Sequence, residues 1–400
     1  MKIAYLVYNE RPDSGLMNTQ VLGLLKELSK NSDLSITLIA IWQPWVYIKY
    51  LKEIKRLKVD LQSHNIQLKS LPFGFPGRYF FTNKYLLNTN IFYIYLILKV
   101  FNLGKYDIIH CRGYFISYIA SLLKKDNKLI FDMRSLFPEE NISAGNWTKE
   151  DLIYDKWKNI EKYTIEKSEN IIGVSEPMVD ILSKEYKTNK MKYIPIGFNS
   201  KNFIFDIEQR GKLRDELNIQ NKIVIVYAGS LEFGFWNDIR VYVKYFSFIN
   251  SVIDNAYFLI LTGSDHQTIK NLLHENNINN YLLKSVLPNE VPRWLEIADS
   301  GIQVMDKMSD SETRFGVKTV EYLAMGLPVI TNDNVGGIVK FINTEKLGIT
   351  FNGKEDLDNL KTFLNNCHTY RDKSSIYAKE KFDMKKISDE YMKLYKSLNK

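Results

Sequence analysis

The chain has 400 residues with a formal net charge of +8, and 45% of them are apolar and 25% charged. That length exceeds the usual single core, so two domains are expected, and the ordinary composition excludes a fibrous or long disordered protein. Two cysteines, Cys111 and Cys367, exclude a disulfide scaffold and a cysteine-based metal site.

Met1-Lys-Ile-Ala-Tyr-Leu-Val-Tyr8 lacks the features of a signal peptide and reads as a first buried strand, Ile3–Val7. No run of about 18 uncharged apolar residues occurs, so no spanning helix is expected and the protein is placed in the cytoplasm. A helix over Asn18–Ser29 and a strand over Leu34–Ile41 follow. This is βαβ grammar, which implies a parallel sheet with helices on both faces. The first turn, Tyr8 to Gly15, is not a glycine-rich dinucleotide loop, which argues against a nicotinamide enzyme. Residues 46–62 read as one basic amphipathic helix carrying Lys49, Lys52, Lys55, Arg56 and Lys58. Two readings stand for it: a solvated face packed on the sheet, or a surface for anionic membrane. An aromatic stretch, Pro72–Phe81, precedes the apolar run Ile91–Leu98, which is expected to be a buried helix.

Tyr106–His110 reads as a strand entering the turn Cys111-Arg-Gly113. His110 and Arg112 then lie at a carboxyl strand end, where parallel sheets bind ligands; a lone histidine is equally a structural residue. After the strand Leu129–Arg134, the side chains of Asp132, Arg134, Glu139 and Glu140 crowd one strand end. A helix over Trp147–Lys167 and a strand over Asn170–Ser175 complete the first half. The domain boundary is expected near Ser200, with a polar link to Gln220.

The second half repeats the pattern. A strand over Lys222–Tyr227 ends at Ala228-Gly-Ser230, where Gly229 can bring backbone N–H groups to a phosphate and Phe235-Trp236 can supply stacking. Strands at Tyr257–Thr262, Leu283–Val286 and Gly301–Met305 follow. The approach Ser309–Gly316 then leads into a helix with Val317, Val320, Leu323 and Ala324 on one face. Gly326 suits a helix C′ position, Pro328 cannot continue the helix, and Pro328–Thr331 reads as a strand. Lys318 and Glu321 sit near the helix start. They form either a surface ion pair or a site where a helix N-terminus and a cation hold phosphate while a carboxylate holds sugar hydroxyls. Asp356-Leu-Asp358 reads as a helix cap, and residues 385–398 form a last amphipathic helix.

Phe315-Gly316 and Glu321-Tyr-Leu-Ala-Met-Gly-Leu-Pro-Val-Ile330 resemble the donor-site signature of the retaining glycosyltransferases of family 4, which have the GT-B fold. Asp107–His110 and Pro195-Ile-Gly197 resemble further segments of the family, and Asp132-Met-Arg134 with Pro138-Glu-Glu140 resembles a stretch of its polysaccharide-building members. Of the family's usual two glutamates only Glu321 is present: Thr313 stands at the first place, and Lys318 lies three residues before Glu321, as in those members. Ser230 stands where most relatives carry arginine, no lysine precedes Lys244 there, and Lys340 stands where a later glutamate is usual.

The resemblance implies two Rossmann-like domains facing a cleft, over 1–200 and 201–382, with a helix at 383–400 returning to the first. It implies retaining transfer from a nucleotide-diphosphate sugar to a glycan or lipid-linked acceptor, without a metal or other cofactor. His110, Lys318 and Glu321 take the catalytic positions. Gly229, Ser230, Arg314, Phe315, Gly316, Lys318, Glu321 and Tyr322 take the donor positions. Ser14, Gly15, Arg112, Asp132, Arg134 and Glu139 take the acceptor positions. A bacterial surface-polysaccharide role and peripheral contact with anionic membrane accompany this reading. The rivals are a nucleotide-sugar epimerase of the same shape and a non-catalytic binding scaffold. No nucleic-acid reader motif is present.

Overall fold

The computed structural model describes residues 1–73, 83–234 and 236–399. The chain divides into two compact units. One comprises Met1–Gly197 with Met384–Lys400, and the other Phe198–Asp383.

Unit 1 is built on a seven-stranded sheet in the order β3-β2-β1-β4-β5-β6-β7. The strands are β1 Lys2–Tyr8, β2 Ser35–Trp42, β3 Ile66–Pro72, β4 Ile108–Arg112, β5 Lys128–Asp132, β6 Asn170–Gly173 and β7 Met191–Tyr193. All pairings are parallel; Tyr5 pairs with Leu38 on one side and His110 on the other. Continuous apolar sequence explains the central strands: β1 and β2 are buried on both faces by helices, so neither alternates. The helix Met384–Leu398 lays Met384, Ile387, Tyr391 and Tyr395 into the same core as Tyr5, Leu24 and Leu38. It therefore belongs to unit 1 although it is last in the chain.

Unit 2 carries a six-stranded parallel sheet in the order β10-β9-β8-β11-β12-β13. Its strands are β8 Ile223–Ala228, β9 Ala256–Leu261, β10 Tyr281–Lys284, β11 Ser300–Gln303, β12 Val329–Thr331 and β13 Gly348–Thr350. Asp299, just before β11, joins three pieces of this unit. Its carboxylate pairs with Arg210 at 2.6 Å and Arg214 at 3.2 Å and accepts the Val224 N–H at 2.8 Å. The Ala298-Asp299 step thus clamps the helix Ile207–Glu216 to the sheet. At Gly301 a side chain has no room: a Cβ would lie 2.3 Å from the Tyr322 ring. Gly301→Ala is expected to destabilise unit 2 by about 1–3 kcal/mol through overpacking, read as a lower denaturant midpoint for its unfolding.

Several expected boundaries move. Residues 46–62 do not form one helix. Pro44–Lys49 and Leu51–Ser63 are separate, with Tyr50 out of helical geometry at ψ 25°. Pro72 and Phe73 are described, and the rest of the aromatic stretch to Phe81 lies outside the described residues. The Ile91–Leu98 run belongs to the longer helix Lys84–Val100. Only Leu87, Asn90, Ile94 and Leu98 of it are buried, one stripe rather than the whole surface. β4 runs on past His110, so Cys111 and Arg112 are in the strand, not in a turn. Asp356 stands at the start of the helix Leu357–Asn365 but makes no side-chain capping bond to it.

Candidate functional site

The donor-type residues gather in unit 2 around the helix Val317–Ala324. The end of this helix is as the sequence indicates: it stops at Met325, Gly326 takes φ +74°, and β12 follows after Pro328. Its N-cap is Gly316, and no side chain caps it. The first N–H groups of a helix carry partial positive charge and lack intrahelical partners, so this end suits an anion. Lys318 and Glu321, one turn apart, pair at 2.8 Å and stay partly accessible, at 32% and 16% for the side chains.

The approach to that helix is fixed on both sides. Gly337 N–H donates to the Arg314 carbonyl at 2.8 Å, and a Cβ on Gly336 would come within 2.5 Å of the Glu312 carbonyl oxygen. The glycine pair therefore lets a second helix, Gly336–Thr344, press against the turn. Arg314 is held by Asp310 at 2.5 Å and lies over the Trp236 ring, 4.2 Å from its centroid. Trp236 thus stacks on a protein cation, and Phe235 lies outside the described residues. Phe315 packs beside Phe341 and Phe382, each 6.2 Å away between ring centroids.

Gly229 and Ser230 follow β8. A Cβ on Gly229 would sit 2.8 Å from the Tyr227 hydroxyl, which donates to the Ser230 carbonyl at 2.7 Å. Tyr322 differs from the expectation of a donor contact. It is fully buried, and its hydroxyl accepts the Ala228 N–H at 2.9 Å. Successive helix residues point about 100° apart, so Glu321 faces outward while its neighbour ties the helix to the end of β8. Burial pushes the Tyr322 hydroxyl well above its usual range.

Unit 1 brings the other expected residues together, but mostly in its interior. His110 has no exposed surface. Its Nδ1 lies 2.7 Å from the Tyr395 hydroxyl and its Nε2 3.3 Å from Asp132 Oδ2. The ring is also packed between Tyr5 and Tyr391, at 4.4 Å and 5.3 Å. A neutral imidazole fits, donating from Nε2 to Asp132 and accepting at Nδ1 from Tyr395. Burial lowers the His110 pKa, with Asp132 opposing it. Both ring nitrogens are engaged inside unit 1.

Asp132 is fully buried and pairs with Arg134 at 2.7 Å. Burial raises its pKa, but the charge of Arg134 and the His110 bond outweigh that, and the net shift is downward. Arg134 holds φ +63°, a conformation rare for a non-glycine residue, where the chain leaves β5. Arg112 bonds Glu10 at 3.2 Å and Gln20 at 2.7 Å. Arg112 Nη1 and Asp132 Oδ1 are buried without a partner among the described residues. Ser14 caps the first turn of its helix, accepting the Met17 N–H at 3.1 Å, and Gly15 beside it is exposed.

Glu139 belongs to a second buried network that the sequence did not disclose. Glu161, fully buried, accepts from the Tyr114 hydroxyl at 2.5 Å and also from Tyr186 and Lys158. Lys158 lies 3.5 Å from Glu139, and Tyr154 donates to Glu139 at 3.2 Å. Burial raises the Glu139 pKa, Lys158 opposes that, and Glu161 adds to it. These residues are scattered over some 70 positions with no motif spacing.

Comparison with known proteins gives the site its context. The family described as "Glycosyl transferases group 1" matches residues 222–366, and "Glycosyltransferase Family 4" matches residues 66–201. No curated protein matches the chain. Among solved structures, the sucrose-phosphate synthase (tll1590) from Thermosynechococcus elongatus is 17% identical with a TM-score of 0.72, over 100% of this chain and 99% of that one. Anabaena Alr3699/HepE, in complex with UDP, is 14% identical with a TM-score of 0.70, over 99% and 100%. WaaG, a glycosyltransferase involved in lipopolysaccharide biosynthesis, is 13% identical with a TM-score of 0.67, over 98% and 99%. Glycosyltransferase segments matched in both units, on the paired parallel sheets that these structures share, mark this chain as a GT-B glycosyltransferase.

Proposed function

We propose that the protein transfers a sugar, with retention, from a nucleotide-diphosphate sugar to a glycan or lipid-linked acceptor in bacterial surface-polysaccharide synthesis. The observation that carries this reading is the uncapped N-terminus of Val317–Ala324 with Lys318 and Glu321 beside it. The bound UDP of the HepE structure supports a nucleotide donor.

In the proposed step the bond from the anomeric carbon to the diphosphate breaks and one to the acceptor oxygen forms. The bonding pair leaves with the diphosphate, and the acceptor proton passes to a phosphate oxygen. Lys318 and the helix N-terminus stabilise the departing charge, with no metal in the step. Glu321 holds donor hydroxyls. Arg314 is already committed to Asp310 and Trp236, so it acts behind Lys318. Arg112, held by Glu10 and Gln20, stands on the acceptor side. His110 supports the site through Asp132 rather than by touching the sugar.

The protein acts in the cytoplasm, in peripheral contact with the membrane. Among the described residues no helix is long and apolar enough to cross one.

A thermal-shift panel of UDP, GDP, ADP, CDP and TDP tests the donor assignment. At 100 times its dissociation constant the true ligand adds about 2.7 kcal/mol of stability. A panel with no shift overturns the assignment. Incubation with the matching nucleotide sugars then separates transfer from epimerisation without acceptor and from binding without turnover.

A further inference from the structure

We infer that Tyr391 and Tyr395, on the last helix of the chain, are positioning residues for sugar transfer: their hydroxyls set the His110 tautomer and the Arg134 guanidinium at the carboxyl ends of β4 and β5. This rests on the transferase reading above and adds to it two residues that no sequence motif marks.

The helix Met384–Leu398 packs in unit 1 by its apolar face. Tyr391 and Tyr395 are one turn apart on that face, fully buried, with ring centroids 6.1 Å apart. Phenylalanine at both places would fill the same space without two hydroxyls to satisfy. Those hydroxyls meet one polar network. Tyr395 lies 2.7 Å from His110 Nδ1, and Tyr391 lies 3.5 Å from Arg134 Nη2.

The network carries orientation from one end to the other. Asp132 pairs with Arg134 at 2.7 Å, and as a carboxylate it only accepts. His110 Nε2, 3.3 Å away, must then carry the proton, which leaves Nδ1 as the acceptor for the Tyr395 hydroxyl. Without that hydroxyl the imidazole loses the bond that selects its tautomer. Asp132 Oδ2 then loses the fixed N–H donor that it receives beside Arg134.

Arg134 is where this network reaches the surface. Its side chain is 14% accessible, whereas His110, Asp132, Tyr391 and Tyr395 have no exposed surface. It holds φ +63° as the chain leaves β5, and a strained residue of this kind persists where surrounding contacts enforce it. Asp132 and Tyr391 supply such contacts to one guanidinium. Held at two points, it offers its remaining N–H groups to an acceptor hydroxyl in one direction only.

Two measurements on the full chain test this. With the five histidines isotope-labelled, long-range proton–nitrogen correlation spectra read their tautomers, and His110→Gln identifies the His110 signals by their loss. The unaltered chain should show His110 in the neutral Nε2–H form. Tyr395→Phe, which keeps the ring and removes only the hydroxyl, should show a mixture of both tautomers. Sugar transfer is then followed with the nucleotide sugar selected by thermal shift and a panel of octyl glycosides as acceptors. Tyr395→Phe should raise the acceptor KM about three- to tenfold, the effect of one hydrogen bond, without raising the donor KM. It should add nothing further in a His110→Gln background. Tyr391→Phe should raise the acceptor KM with the His110 tautomer unchanged. The proposal is overturned by an unchanged tautomer in Tyr395→Phe, by an unchanged acceptor KM in either tyrosine variant, or by an equal effect of Tyr395→Phe with and without His110. A donor KM that rises as much as the acceptor KM marks a general loss of structure and also overturns it. An unaltered chain that transfers nothing to the panel fails the transferase reading instead, whereas the tautomer spectra need no turnover.

Discussion

Lys318→Ala is expected to slow sugar transfer by about 10²–10³-fold, the usual cost of removing one preorganised group from a developing anion. The loss should fall mainly on kcat, because negative charge on the diphosphate grows as the glycosidic bond breaks. Glu321→Ala should raise KM as well, since donor hydroxyls are held in the ground state too. The two side chains pair at 2.8 Å, so their effects should not add: the double variant loses less than the sum of the singles. A simple i,i+3 surface pair would be worth only about 0.2–0.5 kcal/mol and would leave the rate alone. Steady-state kinetics of the four proteins, each verified as folded, decides between the two.

Asp132→Ala should have the largest effect on stability. It leaves Arg134 buried without its carboxylate and removes the His110 contact at 3.3 Å. Breaking a buried pair by deleting one partner costs about 3–5 kcal/mol. Hydrogen exchange at the β4 and β5 amides reads this locally, which suits a chain of two units better than one melting temperature. The same network fixes the sign of the pH response. The His110 pKa is lowered in the folded state, so its contribution is full above the unfolded value, about 6.5. It is lost as pH falls from there through the folded value, because the unfolded chain takes up the proton first. The Asp132 pKa is lowered too, and its contribution is lost in the same direction below about 3.9. Protection of β4 should therefore decline on acidification in two stages, the first of them absent in His110→Gln.

The helix Val317–Ala324 was legible because its signals are local: one apolar face, Gly326 at its end, Pro328 beyond. The inner strands of both parallel sheets were legible for the same reason, since strands buried on two faces announce themselves as continuous apolar runs; the edge strands β3, β7 and β13, only partly buried, were not. Partners distant in sequence were not. His110 meets Tyr391 and Tyr395 only after the last helix returns to unit 1, and nothing near His110 encodes that. The resemblance gives Tyr322 a donor position beside Glu321, although neighbours on a helix face different ways. The run Ile91–Leu98 was read as buried because apolar residues all round a helix do not say which side is covered. The Glu161 network and the Asp299 clamp each join residues from several elements, and no spacing rule reaches across them.

Calorimetric titration with the nucleoside diphosphate selected by thermal shift tests the central assignment most directly. Lys318→Ala should bind it at least about tenfold more weakly than the unaltered chain while binding the uncharged nucleoside equally well. Equal affinity of the two proteins for the diphosphate would contradict the placement of the phosphates at this helix end.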